Sequence, residues 1–184
     1  MENKKISEGK MNIYQKSINT ARLLSAAAIT NANSGHTGSC LSAAPIMFTL
    51  FRDHMMFIPT KPNFENRDRF VLSSGHVAPL YYAILHMFGY DVSTSDLKNL
   101  RKYGSKTPGH PEVFVTPGVE VSTGPLGQVL PMLLDLQSHN AIKARNLTQS
   151  ICHFLIITHI AFVVMVALWR VLHKKQQALL ALWD

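Results

Sequence analysis

The sequence predicts an α/β domain, and three observations favour this class. A short apolar run from Arg69 to Ser73 has the length and composition of a buried strand. It enters a helical pattern directly through Ser74-Gly75-His76, and α/β proteins bind ligands where a strand meets a helix in this way. Apolar residues at helical spacing occur on both sides of the strand. A chain of 184 residues, 47% hydrophobic and 16% charged, is also long enough for one domain with its own core.

The predicted elements follow a simple order along the chain. Four helices are predicted, over residues 11–31, 42–54, 78–88 and 95–103. The first ends where two glycines occur in residues 33–38. The polar residues 59–66, which contain two prolines, are predicted to form a loop. A serine or threonine, residues that favour the cap position, is predicted to open the fourth helix.

Charge and cysteine content narrow the function classes. A net charge of +7 and a pI near 9.6 would suit a nucleic-acid partner, but lysine and arginine are scattered rather than clustered, so no nucleic-acid partner is expected. Cys40 and Cys152 form no spaced pair and no signal peptide precedes the first helix. We therefore expect a cytoplasmic protein with reduced thiols.

An apolar segment at residues 151–172 permits a different interpretation. A membrane-spanning helix needs about 20 mostly apolar residues, and this segment is long enough. His153, His159 and Arg170 interrupt it and weaken the interpretation. The alternative function is therefore a small non-enzymatic protein that is anchored in a membrane by this segment.

Three histidines, His36, His76 and His110, stand next to glycine in breaks between the predicted elements. Histidine titrates near neutral pH and can donate, accept or transfer a proton, and catalytic groups often lie on such loops. His54 and His86 lie within helical patterns and are assigned a structural role. The three loop histidines are too far apart in sequence for a local metal motif, so zinc binding is the lesser alternative.

Four glycine-containing segments together carry a family resemblance. In order they cover residues 33–38, 67–76, 107–112 and 123–128. In this order and spacing, residues 32–128 resemble the N-terminal thiamine-diphosphate-binding domain of transketolase. The cofactor domain of 1-deoxyxylulose-5-phosphate synthase is similar, but Pro-Gly-His-Pro-Glu and Thr-Gly-Pro-Leu-Gly-Gln fit transketolase better.

The resemblance implies a fold, a reaction and partners. The expected fold is a partial parallel sheet in a Rossmann-like three-layer α/β/α arrangement, followed by an aberrant hydrophobic tail. The implied reaction is two-carbon ketol transfer between sugar phosphates in the pentose phosphate pathway. The intact family uses thiamine diphosphate with Mg²⁺ and forms homodimers.

The same resemblance assigns site residues. His36 and His110 match catalytic residues that also bind substrate, with His36 near the reacting carbon. His76 matches a residue that lines the cofactor diphosphate. The residues whose backbone would meet the aminopyrimidine are Gly124, Pro125 and Leu126. Glycine permits such a close approach and proline stiffens the loop.

The resemblance stops at Gln128. The family continues with a Gly-Asp-Gly motif that supplies a Mg²⁺ ligand, an asparagine ligand and, in a later domain, the glutamate that activates the cofactor. The sequence of residues 129–184 contains none of these motifs, so no metal ligand is assigned. We expect residues 1–128 to be an incomplete cofactor domain, residues 129–184 to be a non-homologous tail, and the chain alone to be inactive.

A shifted reading frame would explain the tail. Read one base earlier, Met165 followed by a valine codon forces a glycine, and codons across Val163–Val166 permit Gly-Asp-Gly. The same shift permits Asn-His-Tyr-Thr-Tyr across residues 155–160 and Gly-Val-Ala-Asn-Ala-Val-Gly-Leu-Ala from Val129, both similar to family segments. We therefore expect that one nucleotide is missing near the Gln128 codon and that the tail is out of frame.

Overall fold

The fold is described here from a computed structural model, which describes residues 12–65, 67–125, 128, 129, 132, 135 and 163–166. Its elements, in chain order, are α1 (Ile13–Ala32), α2 (Thr37–Thr49), β1 (Phe70–Ser73), α3 (Ala78–Met87), α4 (Thr94–Lys98) and β2 (Val163–Val166). A π-helical turn at Leu50–His54 extends α2, and a 3₁₀ turn at Gly75–Val77 precedes α3. The helices and the strand that were predicted upstream of residue 128 are therefore present.

Helix α1 begins and ends where its sequence dictates. The side chain of Asn12 caps the first turn by accepting a hydrogen bond from the Gln15 N–H at 2.8 Å. Its buried face consists of small and apolar residues, Ile18, Ala21, Ser25, Ala28 and Ile29, which allow close packing against α2 and α3. Asn33 ends the helix in the left-handed conformation, with φ of 48°.

Helix α2 begins at Thr37, five residues before the predicted start at Ser42. The sequence predicts Gly38 in the break between two helices, but it lies in the first turn of α2, where glycine is tolerated. Pro45 lies inside the helix and lacks the N–H that would bond to the Leu41 carbonyl. The Arg22 side chain of α1 donates a hydrogen bond to that carbonyl at 2.9 Å, so the proline leaves no unpaired group.

Helix α4 is shorter than predicted. Ser93 caps it and Asp96 completes a capping box, but the helix ends at Lys98 rather than at Tyr103. Arg101 has a φ of 64° and its N–H bonds to the Thr107 carbonyl, which turns the chain away from the helix axis.

Helix α3 lies at the centre of the core, and residues 78–85 are all buried. Two tyrosines connect α3 to the long segment that follows α4. The Tyr81 hydroxyl donates to the Gly118 carbonyl at 2.8 Å, and the Tyr82 hydroxyl donates to the Pro108 carbonyl at 2.9 Å. Buried tyrosine hydroxyls need such partners, and these bonds hold residues 108–118 against the core.

The sheet differs from the predicted one. Strand β1 pairs with β2 in antiparallel register, with Phe70 opposite Val166 and Ser73 opposite Val163. For these strands the prediction of a parallel sheet is wrong. A free strand edge accepts a partner of either direction because its N–H and C=O groups must be paired, and the valine-rich residues 163–166 have high strand propensity.

The predicted apolar segment 151–172 falls mainly outside the described residues. Within it, residues 163–166 form strand β2 rather than a helix. Among the helices that the structure describes, none is long and apolar enough to cross a membrane.

Candidate functional site

The first predicted histidine, His36, lies in the turn between α1 and α2. Gly35 has a φ of 147°, and a Cβ atom there would lie 2.9 Å from the Ile29 side chain. Only glycine fits this turn without strain. His36 follows at the N-cap position of α2, where its exposed side chain makes no capping hydrogen bond.

The second histidine, His76, follows the end of strand β1. Ser74 has a φ of 67°, an unusual conformation for a residue other than glycine. The turn redirects the chain from the buried strand into the 3₁₀ turn that carries half-buried His76. Strained backbone at a strand end is typical of ligand sites.

Gly75 is the contact point between this turn and two later segments. A Cβ atom on Gly75 would lie 2.9 Å from His110 Cδ2, 3.0 Å from the Thr123 carbonyl oxygen and 3.2 Å from Gly124 Cα. Gly124 in turn lies beside the His110 ring, because a Cβ atom on Gly124 would lie 3.5 Å from His110 Nδ1. The structure thus brings the predicted residues His76, His110 and Gly124 together.

The three predicted histidines form one cluster. The ring centroids of His36 and His76 are 4.7 Å apart. Partial burial, followed by the positive charges that His36 and His110 can carry, holds the pKa of His76 below its ordinary value. An anionic ligand would reduce this repulsion between positive charges.

This cluster gives a direct titration prediction. In an NMR titration, His76 should have a pKa below that of a solvated histidine, about 6.5. The variant His36→Gln removes one repelling charge and should move the pKa of His76 upwards. An unchanged pKa of His76 in the variant would contradict the assigned proximity.

The lowered pKa also fixes the sign of a stability effect. When pH falls below the pKa of the unfolded chain, unfolded His76 takes up a proton before folded His76 does. The free energy of unfolding should therefore decrease as the pH falls below about 6.5, until folded His76 is protonated. Above that range His76 contributes no pH dependence.

A cavity of about 340 Å³ adjoins the histidine cluster. Its lining includes His110, Glu112, Thr123, Gly124 and Pro125. Two buried hydroxyl oxygens, Ser74 Oγ and Thr123 Oγ1, have no hydrogen-bond partner among the described residues. An unpaired buried hydroxyl is costly, by about 1–3 kcal/mol, so this region suits a polar ligand.

The remaining predictions concern the cofactor residue Leu126 and metal binding. The predicted cofactor residue Leu126 lies outside the described residues. Within the part of the chain that is described, no group of three histidine, cysteine or acidic side chains is placed to hold a metal ion.

Arg101 connects two of the histidine loops and was not recognised from the sequence. Its Nη1 donates to Ser34 Oγ at 2.6 Å, and a Cβ atom on Gly109 would lie 3.6 Å from Arg101 Nε. The guanidinium thus lies between the loop of His36 and the loop of His110. Ser34 and Arg101 are 67 residues apart in sequence, so no local motif could indicate the contact.

Comparison with known proteins agrees with this arrangement. The sequence model of one family, described as transketolase, thiamine diphosphate binding domain, matches residues 13–167. Transketolase from Geobacillus stearothermophilus is 48% identical over 154 residues, which are 83% of this chain and 22% of that protein. Transketolase 10 from Craterostigma plantagineum is 57% identical over 114 residues, 61% of this chain and 17% of that protein.

Solved structures give the same result. A transketolase R525L mutant from Pichia stipitis aligns with a TM-score of 0.63 and 51% identity, over 64% of this chain and 17% of that one. Transketolase from Campylobacter jejuni aligns with a TM-score of 0.60 and 51% identity, over 64% of this chain and 19% of that one. The chain thus spans about a fifth of the length of these relatives.

The family match extends past Gln128 to residue 167 and includes all three loop histidines. The fold of the described residues agrees with an α/β domain of this kind. The chain therefore belongs to the transketolase family, in which it corresponds to the thiamine diphosphate binding domain.

Proposed function

We propose that the histidine cluster and residues 123–125 form part of a site that serves transketolase-type ketol transfer. One observation carries this proposal: His36, His76, His110 and Gly124 gather around Gly75 from four separate segments. Loops that converge on a strand end from distant parts of a sequence are typical of binding sites on α/β folds.

The residues present fit thiamine diphosphate. Gly75 lets His110 and Gly124 pack closely against the turn before His76, and Gly124 and Pro125 line the adjoining cavity. The unpaired Ser74 and Thr123 hydroxyls would gain polar partners. When bound, thiamine diphosphate supplies the electron sink of ketol transfer, and Mg²⁺ is its usual companion in the family.

Each histidine has a proposed role. His76, whose pKa is lowered beside two other histidines, would lie next to the cofactor diphosphate and gain a favourable partner there. His36 and His110 would contact the sugar donor, where imidazole can bind hydroxyls and transfer protons. Gly124, Pro125 and Leu126 would approach the aminopyrimidine through their backbone.

Sugar phosphates are the proposed substrates. Related Pichia stipitis transketolases have been solved with fructose 6-phosphate, sedoheptulose 7-phosphate and xylulose 5-phosphate. The first of these aligns with a TM-score of 0.63 and 51% identity over 64% of this chain. We propose the same substrate class for this site, in a cytoplasmic homodimer that acts in the pentose phosphate pathway.

We further propose that the 184-residue chain, in which residues 129–184 follow Gln128, does not catalyse this reaction. A single missing nucleotide near the Gln128 codon would place the Gly-Asp-Gly metal motif in an unread frame. Domain boundaries at 1–128 and 129–184 follow from this proposal. When catalytic groups act together, removing one of them lowers the rate by more than its separate contribution.

The experiment compares two gene products. One is the 184-residue chain. The other has one nucleotide restored after the Gln128 codon and continues in that frame to the full length of the transketolase relatives, so that it includes the later domain with the activating glutamate. Both are assayed for ketol transfer from xylulose 5-phosphate to an aldose phosphate with thiamine diphosphate and Mg²⁺. We expect activity only in the restored product, and that activity should require the cofactor.

The control outcomes separate the alternatives. A well-folded restored product that neither transfers ketol units nor binds thiamine diphosphate would refute the proposed function. Ketol transfer by the unrestored chain would refute its proposed inactivity. Recovery of the unrestored chain in a membrane fraction, released only by detergent, would favour the membrane-anchored alternative.

A further inference from the structure

A buried ionic cluster joins Arg67 and Arg69 to Glu120. Arg67 Nε donates to Glu120 Oε1 at 2.9 Å, and Arg67 Nη2 donates to Glu120 Oε2 at 2.7 Å. Arg69 Nη1 also donates to Glu120 Oε2, at 3.0 Å. The side chains of Arg67 and Glu120 are only 9% and 8% exposed, so this carboxylate receives three charged hydrogen bonds away from solvent.

The cluster joins two parts of the chain that both lead to the site. Arg67 and Arg69 come directly before β1, and β1 leads to Gly75 and His76. Glu120 lies three residues before Thr123, whose carbonyl oxygen lies within 3.0 Å of a Cβ position on Gly75. Three residues span at most about 10 Å, so Glu120 is held close to the contact between Thr123 and Gly75.

The residues on either side of Glu120 have their own fixed contacts. The Gly118 carbonyl accepts a hydrogen bond from Tyr81 at 2.8 Å. A Cβ atom on Gly118 would lie 2.6 Å from the Tyr90 ring, so the backbone packs closely against the core there. Further along, the Thr123 N–H bonds to the Pro111 carbonyl at 3.1 Å. Glu120 thus lies between a backbone contact with the core at Gly118 and a backbone contact with the His110 loop at Thr123.

We infer that Glu120 is a positioning residue, which with Arg67 and Arg69 sets the approach of residues 123–124 to the turn of Gly75 and His76. The role of residues 123–124 in a cofactor site rests on the proposed function. Their position relative to Gly75 does not, because it is a property of the chain without ligand. Buried ion pairs contribute little net stability, whereas an unpaired buried charge is strongly unfavourable. The bidentate hydrogen bonds between Arg67 and Glu120 fix the distance and orientation of the two side chains.

The test uses the 184-residue chain without ligand and two matched variants. Glu120→Gln keeps the size of the side chain and removes its charge. Asp91→Asn removes the carboxylate of the exposed pair between Asp91 and Lys106, in which Asp91 is 81% exposed. Hydrogen exchange of individual amides and the NMR signals of the histidine rings are measured for both variants.

We expect Glu120→Gln to accelerate exchange of the Thr123 amide about tenfold more than exchange of the α3 amides. The ring signals of His76 and His110 should shift in the same variant. Asp91→Asn should change neither. Equal acceleration throughout the chain, or unchanged exchange at Thr123 with unchanged ring signals, would overturn the inference.

A second variant covers the case in which Glu120→Gln does not fold. Arg69→Lys alters the more exposed partner, which is 22% exposed, and keeps the positive charge while removing the fork of donors. A smaller but still local effect on Thr123 is expected. Because no ligand is present, loss of this local effect is distinguishable from failure of thiamine diphosphate binding in the restored product.

Discussion

Replacing Gly75 with alanine is expected to separate the histidine loops and to destabilise the fold by about 1–3 kcal/mol. The added methyl group would lie 2.9 Å from His110, 3.0 Å from the Thr123 carbonyl and 3.2 Å from Gly124 Cα. Two of these contacts are with backbone, which cannot move aside as a flexible side chain does. Urea unfolding and the NMR signals of the histidine rings measure the two effects.

Gly38→Ala is the matched control for this substitution. Gly38 lies in the first turn of α2, and a Cβ atom there would meet no atom within 4 Å. Alanine favours a helix over glycine by up to about 1 kcal/mol, so this variant should be neutral or more stable. If both variants have the stability of the parent and unchanged histidine signals, the close approach at Gly75 is refuted.

The second large effect concerns His110. In the product of the restored gene, His110→Ala should lower kcat/KM for ketol transfer by about 100-fold or more, the usual contribution of a group that transfers a proton. His110 lines the cavity and lies next to both Gly75 and Gly124. Steady-state kinetics with a varied ketose donor provide the measurement.

His54→Gln is the control for the His110 variant. His54 lies in the π-helical turn after α2, in a segment that does not line the histidine cavity. We expect it to keep the parent kcat/KM. Should His110→Ala also keep the parent value while remaining folded, the proposed contact between His110 and the donor would be wrong.

The sequence predicts local elements well because their signals are local. The strand at residues 70–73 is a short apolar run, and Asn12 and Ser93 cap helices within one turn. The predicted start of α2 differs from the observed one because a glycine in a first turn costs little. The direction of β2 relative to β1 could not be predicted, because pairing depends on which distant segment reaches the strand edge.

Some residues of the candidate site could likewise be predicted from local sequence, and others could not. His36, His76 and His110 were predicted from their position beside glycine in loops, and the structure brings them together. Arg101 and Glu120 were not recognised, because their partners lie 67 and about 50 residues away in sequence. Contacts between residues so far apart in sequence depend on the whole fold, so the glycine-containing segments alone could not indicate them.

The nucleotide sequence from the Gln128 codon to the Val166 codon tests the central claim most directly. The claim is that the loops up to Gln128 form one part of a thiamine diphosphate site, while the metal-binding part lies in the next reading frame. We predict GTG codons at both Val163 and Val164, because only these yield Gly-Asp-Gly when the bases are read one position earlier. Any other valine codon at either position would contradict the claim.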